Sequence, residues 1–345
     1  MPHLTTPSPA GESSHAGGAL PEKGGPMRVA VLGASGFVGA HVVDALRDRG
    51  HEVLAVVKPG AARPAPRDGV EVVRLDPVGC PESVDGLLAR EPDGVINAAG
   101  RTIGSRTQLV SANALLVAAL LDALKGIPRP RRPRLVQVGT AAEYDAPHGR
   151  TPVPPRHPTE PRTAYGISKL AGSKLVVEAL RVGDVTGTVV RMFTPIGPGS
   201  PAGILAGAAE RRLREAYEQG ADEIRFGALD AARDFIDIRD AAELFVRACE
   251  HRGDLPEVMN AGTGVALPAW NVVLSLTRAA GWDGRVTTAR GRTSRATLPW
   301  QAADISTTRA ALDWRPRRTV EESMQDQWAA ALRADGSPLA AAASS

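Results

Sequence analysis

The stretch Arg28-Val-Ala-Val-Leu-Gly-Ala-Ser-Gly-Phe-Val-Gly39 decides the fold of this chain of 345 residues. Its first five residues form a short, mostly apolar run that predicts a buried strand, and glycines follow at positions 33, 36 and 39. Between a strand and a helix, such glycines permit a tight turn, close approach of a pyrophosphate and close helix packing. The helix N-terminus adds N–H groups and a partial positive charge that favour phosphate. Glycines also make plain turns, but at the first strand they favour dinucleotide binding.

Alternating strands and helices follow this unit. A helical period over 36–49 ends at Gly50, and apolar runs recur beyond it. The pattern predicts strands near 53–57, 70–75, 94–98, 134–138 and 188–193, and helices near 82–90, 109–124 and 165–180. Because the strands are apolar throughout, helices are expected to cover both faces of the sheet. The predicted fold class is α/β, with a Rossmann-type doubly wound parallel sheet.

The pattern changes after Thr194, where residues 195–201 form a Gly/Pro-rich loop. The elements beyond it are shorter and mixed: helices near 204–218, 239–250 and 270–280, and a strand near 223–226. We therefore expect a dinucleotide-binding Rossmann domain over 27–194, with contributions from later segments, and a smaller mixed α/β substrate lobe over 195–334. The two ends, 1–26 and 335–345, are expected to be disordered tails.

Composition excludes several classes of protein. Hydrophobic residues make up 43% and charged residues 23% of the chain, and the formal net charge is +3. No Lys/Arg run interleaves with aromatic residues, so no nucleic-acid partner is expected. No apolar run long enough to span a membrane is expected, and residues 1–26 do not form a signal peptide, so we expect a cytoplasmic protein without a membrane partner. Cys80 and Cys249 are isolated, which predicts neither a disulfide nor a metal site.

Tyr165-Gly-Ile-Ser-Lys169 opens the helix predicted near 165–180. A spacing of four residues places Tyr165 and Lys169 on one face of that helix, one turn apart. The ordinary pKa of tyrosine is about 10, and a neighbouring ammonium favours the phenolate, so Lys169 is expected to lower the pKa of Tyr165. The alternative is an ordinary surface tyrosine and lysine, since this spacing also occurs by chance.

Val136-Gln-Val-Gly-Thr140 is a strand that ends in a hydroxyl. The carboxyl ends of strands in a doubly wound sheet face the ligand crevice. Thr140 is therefore a candidate hydrogen-bond donor to a carbonyl oxygen, and the alternative is a turn or cap hydroxyl.

These motifs occur in the order found in the extended short-chain dehydrogenases, which the chain resembles over roughly residues 27–330. The further motifs of the resemblance are Asn97-Ala-Ala-Gly100, Arg191-Met-Phe-Thr-Pro-Ile-Gly-Pro-Gly199, Ala232-Arg-Asp-Phe-Ile-Asp-Ile-Arg-Asp240, Asn260-Ala-Gly-Thr-Gly264 and Leu312-Asp-Trp-Arg-Pro316. Within that family the chain is most similar to GDP-4-keto-6-deoxy-mannose reductases. These share segments like Gly139-Thr-Ala-Ala-Glu-Tyr144 and Gly227-Ala-Leu-Asp-Ala-Ala-Arg-Asp-Phe235.

The resemblance assigns roles to individual residues. It implies that Thr140, Tyr165 and Lys169 are catalytic, that Arg233 contacts the nucleotide of the substrate, and that the helices near 109–124 and 165–180 form a homodimer. The expected cofactor-binding residues are Gly33, Ser35, Gly36, Phe37, Val38, Gly39, Lys58, Asp76, Asn97, Ala98, Ala99, Tyr165 and Lys169. Thr194 stands where the family has an asparagine at the substrate diphosphate. Arg292 is either a second diphosphate contact or a solvated arginine.

The same scaffold carries out 4-keto reduction, 4-epimerisation and 4,6-dehydration in this family. Ala141 and Ala142 stand where the family's dehydratases carry an Asp-Glu pair, so dehydration ranks last. An NAD site usually has an acid about 20 residues beyond the glycines, whereas Lys58, Arg63 and Arg67 follow the second strand here. These cations favour the 2′-phosphate of NADP(H), although simple solvation and NAD(H) remain alternatives.

The function expected from these observations is NADP(H)-dependent reduction of a nucleotide-linked 4-keto-6-deoxy sugar. Thr140 and Tyr165 are expected at the keto oxygen, with Tyr165 as proton donor and Lys169 at the nicotinamide ribose. Asn113 either steadies its helix and a proton-relay water or is a plain surface amide. The alternatives are a nucleotide-sugar 4-epimerase with tightly bound NAD, a non-catalytic NADP(H) sensor, and an enzyme acting on a non-sugar carbonyl.

Overall fold

The computed structural model describes residues 25–60, 68–76, 83–288 and 298–335. Most of each predicted tail lies outside these residues, as do Arg63, Arg67, Cys80 and Arg292. The strands are β1 (Arg28–Leu32), β2 (Glu52–Val57), β3 (Val70–Arg74), β4 (Gly94–Asn97), β5 (Arg134–Thr140), β6 (Thr186–Met192), β7 (Thr194–Ile196), β8 (Glu223–Phe226), β9 (Ala232–Asp237), β10 (Val258–Ala261), β11 (Ala266–Pro268), β12 (Arg285–Thr288) and β13 (Trp300–Gln301). The α-helices are α1 (Phe37–Asp48), α2 (Ser83–Leu88), α3 (Arg106–Val110), α4 (Leu116–Lys125), α5 (Ala164–Arg181), α6 (Leu205–Gln219), α7 (Ile238–Glu250), α8 (Ala269–Ala279), α9 (Ser306–Leu312) and α10 (Val320–Asp335).

Seven strands form one parallel sheet in the order β10-β6-β5-β4-β1-β2-β3. The direction of winding reverses between β1 and β4, and a crevice opens there at the carboxyl ends of the strands. The register places Leu32 of β1 beside Val56 on one side and Asn97 on the other. The predicted Rossmann-type sheet is confirmed.

Helices cover both faces of this sheet because alternate strand residues point to opposite sides. On one face, Val29 and Val31 pack in the same apolar cluster as residues of α1 and α7. On the other face, Ala30 and Leu32 pack with residues of α2, α4 and α5. Burial on both faces explains why the strands are apolar at every position rather than at every second one.

The segments α3 and α4 belong to one continuous helix, Arg106–Lys125. A capping box between Ser105 and Gln108 starts it, and Ser111–Leu115 in its middle form a π-helical turn. Among the described residues this is the one helix that is long and apolar enough, by length and composition alone, to cross a membrane. Here it is a crossover helix of the sheet, with Leu120 and Leu124 fully buried in the core.

The second lobe is built around β9, which pairs with β7, β11 and β13. Residues of α6, α8 and α10 pack around it in an apolar cluster that contains Leu213, Leu276 and Trp328. Two elements of the chain beyond residue 195 return to the first sheet: α7 covers one face, and β10 adds the edge strand next to β6. The lobes are therefore interleaved along the chain.

The sequence patterns did not identify β7, β9–β13, α9 or α10. These strands are short, and buried polar residues such as Asp234 and Asn260 interrupt their apolar pattern. For α10 a signal was present, because Thr319 and Glu322 form a Thr-x-x-Glu capping pair.

Candidate active site

A cavity of about 730 Å³ opens where the carboxyl ends of the main sheet meet the second lobe. It is lined by Gly36, Phe37, Val38, Ala98, Ala99, Gly100, Arg101, Thr102, Ile103, Val138, Gly139, Thr140, Ala141, Ala142, Tyr144, Arg162, Thr163, Tyr165, Lys169, Met192, Phe193, Thr194, Pro195, Pro201, Gly203, Ile204, Arg233, Leu298 and Gln301. A larger cavity of about 1190 Å³ beside α5, near Lys174 and Glu257, contains none of the predicted site residues. The smaller cavity is therefore the candidate active site.

The glycine turn shapes one end of this cavity. Gly33 has a φ of +78°, and its N–H donates to the Val56 carbonyl at 3.1 Å. A Cβ at Gly39 would lie 2.1 Å from the Gly33 carbonyl oxygen, so only glycine fits there. Gly36 caps α1 without a side-chain hydrogen bond, which leaves the first N–H groups of the helix available for a ligand.

Most of the predicted cofactor residues lie at or beside the cavity. Those that line it are Gly36, Phe37, Val38, Ala98, Ala99, Tyr165 and Lys169. Ser35 is exposed at the tip of the glycine turn. Asn97 departs from the expectation, because it is fully buried, donates to Gln137 at 2.8 Å and accepts from the Ala99 N–H at 3.1 Å. Its amide shapes the loop that faces the cavity instead of lining the cavity itself.

Lys58 and Asp76 are exposed beyond the ends of β2 and β3, outside the walls of the cavity. Arg74, the last residue of β3, pairs in register with Val57, and its Nη1 donates to the Lys58 carbonyl at 3.4 Å. Its position is not apparent from the sequence, since the pairing of β3 with β2 is what brings it to the end of β2. Two cations therefore lie at the carboxyl end of β2.

Thr140 ends β5 close enough to Tyr165 for hydrogen bonding from its side chain to lower the pKa of that phenol. The Thr140 side chain also accepts from the Ala142 N–H at 3.3 Å, so the hydroxyl caps a turn and faces the phenol at the same time. Tyr165 is held at the start of α5, where Thr163 caps the helix by accepting from the Gly166 N–H at 3.0 Å. The strand end and the helix start thus bring together two of the three predicted catalytic residues.

Lys169 lies one turn further along α5 and is almost completely buried. Its Nζ donates to the Val138 carbonyl at 2.5 Å, on the strand that carries Thr140. All three predicted catalytic side chains line one cavity, which is not the surface arrangement that was the alternative for Tyr165 and Lys169.

The pKa of Tyr165 is raised, which is the opposite of the effect predicted from its spacing to Lys169. Burial of the phenol is the main cause, the hydrogen bond with Thr140 acts in the opposite direction, and the charge of Glu143 raises the pKa further. Burial also lowers the pKa of Lys169, and Glu143 opposes this. Because the ordinary pKa of tyrosine is about 10, Tyr165 is protonated at neutral pH. The site therefore presents a proton donor.

Asn113 lies in the π-helical turn and is only 2% exposed, so the surface-amide alternative is wrong. Its Nδ2 donates to the Arg101 carbonyl at 2.9 Å and to the Ser168 hydroxyl at 2.8 Å, and its Oδ1 accepts from the Arg101 N–H at 2.8 Å. A Cβ at Gly172 would lie 2.3 Å from the Asn113 carbonyl, so that glycine lets the π-helical turn approach α5. Asn113 therefore fixes the loop after β4 against the helix that carries Lys169.

Thr194 and Arg233 line the second-lobe side of the cavity. Arg233 is half-buried and donates to the carbonyls of Ala232 at 2.8 Å and Leu298 at 2.6 Å. Burial lowers the pKa of its guanidinium. Arg292, the third predicted substrate contact, lies outside the described residues.

All charged residues in the described lining of the cavity are basic. Four of its described lining residues are basic, namely Arg101, Arg162, Lys169 and Arg233, and none is acidic. Arg101 and Arg162 were not identified from the sequence, because no motif distinguishes them from surface arginines. No cluster of three or more possible metal-ligating side chains occurs in the described part of the chain. The electrostatics of this cavity favour a ligand that carries several negative charges.

A family model described as the NAD dependent epimerase/dehydratase family matches residues 29–262. The chain is 34% identical over 310 residues to a dTDP-6-deoxy-L-talose 4-dehydrogenase (NAD(P)(+)) of Kitasatospora kifunensis. This alignment covers 88% of this chain and 96% of that protein. It is 26% identical over 312 residues to a GDP-6-deoxy-D-mannose reductase of Pseudomonas aeruginosa, covering 87% and 95% of the two chains.

The fold is also similar to that of RMD from Pseudomonas aeruginosa complexed with NADPH. The TM-score is 0.73 at 24% sequence identity, and the match covers 88% of this chain and 99% of that chain. This likeness concerns the fold of the chain, including both lobes.

Proposed function

Since this chain belongs to the NAD dependent epimerase/dehydratase family and is an NAD(P)-dependent enzyme, we propose that it reduces a nucleotide-linked 4-keto-6-deoxy sugar with NADPH. The observation that carries this proposal is the placement of Thr140, Tyr165 and Lys169 in one cavity whose described lining includes four basic residues and no acidic one. The proposed compartment is the cytoplasm, and the proposed partners are the nucleotide sugar and a second copy of the chain.

The residues at the glycine turn fit a dinucleotide. The first N–H groups of α1 have no side-chain cap, and the glycines keep side chains away from the place where a pyrophosphate would approach. Gly36, Phe37 and Val38 would hold the phosphates through their backbone, and Lys169 would hold the nicotinamide ribose. When bound, the reduced nicotinamide supplies a hydride.

Thr140 and Tyr165 act on the keto oxygen of the substrate. Both hydroxyls donate hydrogen bonds to the oxygen as negative charge develops on it, and Tyr165 then transfers its proton to that oxygen. The positive charge of Lys169 stabilises the phenolate that remains on Tyr165. Burial of the site strengthens each of these interactions, because water does not screen them.

The second-lobe side of the cavity favours a deoxygenated sugar. Pro195, Ile204 and Leu298 line this side, and Met192 and Phe193 at the end of β6 extend the apolar wall. A sugar hydroxyl buried against this wall without a partner would cost free energy, whereas a methyl group would not. The Arg233 guanidinium and the Thr194 hydroxyl are suitable contacts for the diphosphate.

The proposal is tested by supplying dTDP-4-keto-6-deoxyglucose and GDP-4-keto-6-deoxymannose, each with NADPH or NADH, and following nicotinamide absorbance. We expect oxidation of NADPH with at least one of these substrates. Interconversion of UDP-hexoses without added cofactor, together with NAD released on denaturation, would make the protein a 4-epimerase. Cofactor binding without turnover of any of these sugars would favour a sensor.

The cofactor preference is assigned to the end of β2. Replacing Lys58 or Arg74 with alanine is expected to weaken NADPH binding about tenfold, the effect of losing roughly 1.4 kcal/mol of attraction to a phosphate. NADH binding should stay unchanged, because NADH has no 2′-phosphate. Fluorescence titration measures both affinities, and Arg225→Ala, at an exposed arginine of β8, is the control. Equal losses for NADPH and NADH would contradict the assignment.

The proposed homodimer joins the helices Arg106–Lys125 and α5 of two chains. Val110, Leu115 and Leu175 are large apolar residues of these helices that remain 42%, 51% and 39% exposed. Leu115→Glu is expected to shift the protein from dimer to monomer in light scattering, since it places a charge in the buried interface. Val265→Glu, at an equally exposed apolar residue of the second lobe, should leave the mass unchanged. A wild-type protein that is monomeric would refute the dimer.

A further inference from the structure

Glu143 is a fully buried carboxylate beneath the candidate active site. Its Oε1 accepts hydrogen bonds from the Thr140 amide at 2.9 Å and from the Ser173 hydroxyl at 3.0 Å. Its Oε2 accepts from Arg191 Nε at 2.7 Å. A Cβ at position 139 would lie 2.9 Å from Oε1, so Gly139 leaves room for the carboxylate under the strand end.

These contacts join the two elements that carry the reacting groups. Thr140 ends β5, whereas Ser173 lies in α5 one turn beyond Lys169 and two turns beyond Tyr165. The Glu143 carboxylate therefore binds both the Thr140 backbone and Ser173 of α5, the helix that carries Tyr165 and Lys169. The position of Thr140 relative to Tyr165 depends on this connection.

The charge of the Glu143 carboxylate acts on both Tyr165 and Lys169. The charged and titratable groups around it are Arg191 from β6, Tyr144 beside it in the chain, and Tyr165 and Lys169 from α5. Arg191 pairs with Glu143 and lies 4.5 Å from the centre of the Tyr144 ring. Burial raises the pKa of Tyr165 and lowers that of Lys169, and the charge of Glu143 raises both.

We propose that Glu143 is a positioning residue for the reaction, whose carboxylate fixes the Thr140 end of β5 to the helix that carries Tyr165 and Lys169. Its charge also favours the phenol form of Tyr165, which donates the proton, and the charged form of Lys169. Glu143 is not among the described residues that line the cavity, so it acts through its neighbours. This inference rests on the proposed roles of Thr140 and Tyr165.

Glu143→Gln keeps the size of the side chain and removes its charge. Ultraviolet titration of phenolate formation, taken as the difference between each protein and its Tyr165→Phe form, isolates Tyr165 among the three tyrosines of the chain. We expect the Tyr165 transition to move to lower pH, because a negative charge that opposes the phenolate is gone. The kcat should fall about a hundredfold, since misplacement of a reacting group by about 1 Å costs on that order.

Asp240→Asn is the matched control. Asp240 is equally buried, pairs with Arg318 and accepts two backbone N–H groups, but it lies in α7 and away from the cavity. We expect this variant to leave the Tyr165 transition and kcat at their wild-type values, whatever it does to stability.

Ser173→Ala separates position from charge, because it keeps the ion pair with Arg191 and removes the hydrogen bond to α5. We expect kcat to fall about fivefold, the kinetic equivalent of one hydrogen bond, with the Tyr165 transition unmoved. An unmoved transition in Glu143→Gln, or a wild-type kcat in Ser173→Ala, would overturn the inference. If Glu143→Gln does not fold, the kcat of Ser173→Ala alone tests the positioning role. The titration needs no substrate, so its outcome is independent of the proposed reaction.

Discussion

Tyr165→Phe is expected to lower kcat about 10³-fold, since a positioned general acid contributes roughly 10²–10⁴-fold. Phenylalanine preserves the ring that packs at the start of α5 but has no proton to give and cannot hydrogen-bond to Thr140. NADPH affinity should stay within about twofold of wild type, because the interaction lost is one made in the transition state. Nicotinamide absorbance with the keto sugar measures kcat, and fluorescence titration measures the affinity.

Tyr217→Phe is the control for this variant. Tyr217 lies in α6, donates to the Ala280 carbonyl at 2.5 Å and stacks on Trp328, so its hydroxyl is bonded but outside the cavity. Removing the Tyr217 hydroxyl should reduce the free energy of unfolding by about 1 kcal/mol and leave kcat unchanged. If Tyr165→Phe kept a tenth or more of wild-type kcat, another group would have to supply the proton.

Gly39→Ala is expected to weaken NADPH binding about a hundredfold, a loss of roughly 2.7 kcal/mol. The added Cβ would lie 2.1 Å from the Gly33 carbonyl oxygen and 2.9 Å from the Ala34 Cα, and both are backbone atoms that no rotamer change can move. The glycine turn and the first turn of α1 must separate, which displaces the N–H groups that face the phosphates. We also expect a loss of about 1–3 kcal/mol in the free energy of unfolding, as for other overpacked positions.

Gly86→Ala makes the same chemical change at a glycine of α2 with nothing within 4 Å of the added Cβ. It should raise the free energy of unfolding by up to about 1 kcal/mol, since alanine is the better helix former. NADPH titration and denaturant unfolding compare the two variants. Wild-type NADPH affinity in Gly39→Ala would mean that the turn does not hold the dinucleotide.

Six of the seven strands of the main sheet, and the grouping of Thr140, Tyr165 and Lys169 at one cavity, could be predicted because their signals are local. The glycines at 33, 36 and 39 and the four-residue spacing of Tyr165 and Lys169 lie within single strand–helix units. Local spacing fixes which face of a helix two residues share. It does not fix what surrounds them. The predicted direction of the Tyr165 pKa shift was wrong because burial of the phenol dominates, and Lys169 is not among the groups that shift this pKa.

The residues that could not be predicted depend on contacts between distant parts of the chain. Arg74 reaches the end of β2 only through strand pairing, and Glu143 meets Arg191 from a strand 48 positions away. For Asn113 the sequence left both a helix-steadying role and a surface amide open, because a regular helical period does not reveal a π-helical turn. Sequence periodicity reports the environment averaged over a face and does not identify the partner of a buried polar group.

The return of β10 to the edge of the main sheet has a consequence for biosynthesis. A nascent chain that has emerged only as far as β6 exposes that strand's unpaired backbone groups, and they stay exposed until residues 258–261 leave the ribosome. Such an edge is prone to pair with other chains, so early release or slow translation of the second lobe favours aggregation. For the same reason we expect a fragment that ends at residue 194, and so lacks β10, to leave the edge of β6 unpaired.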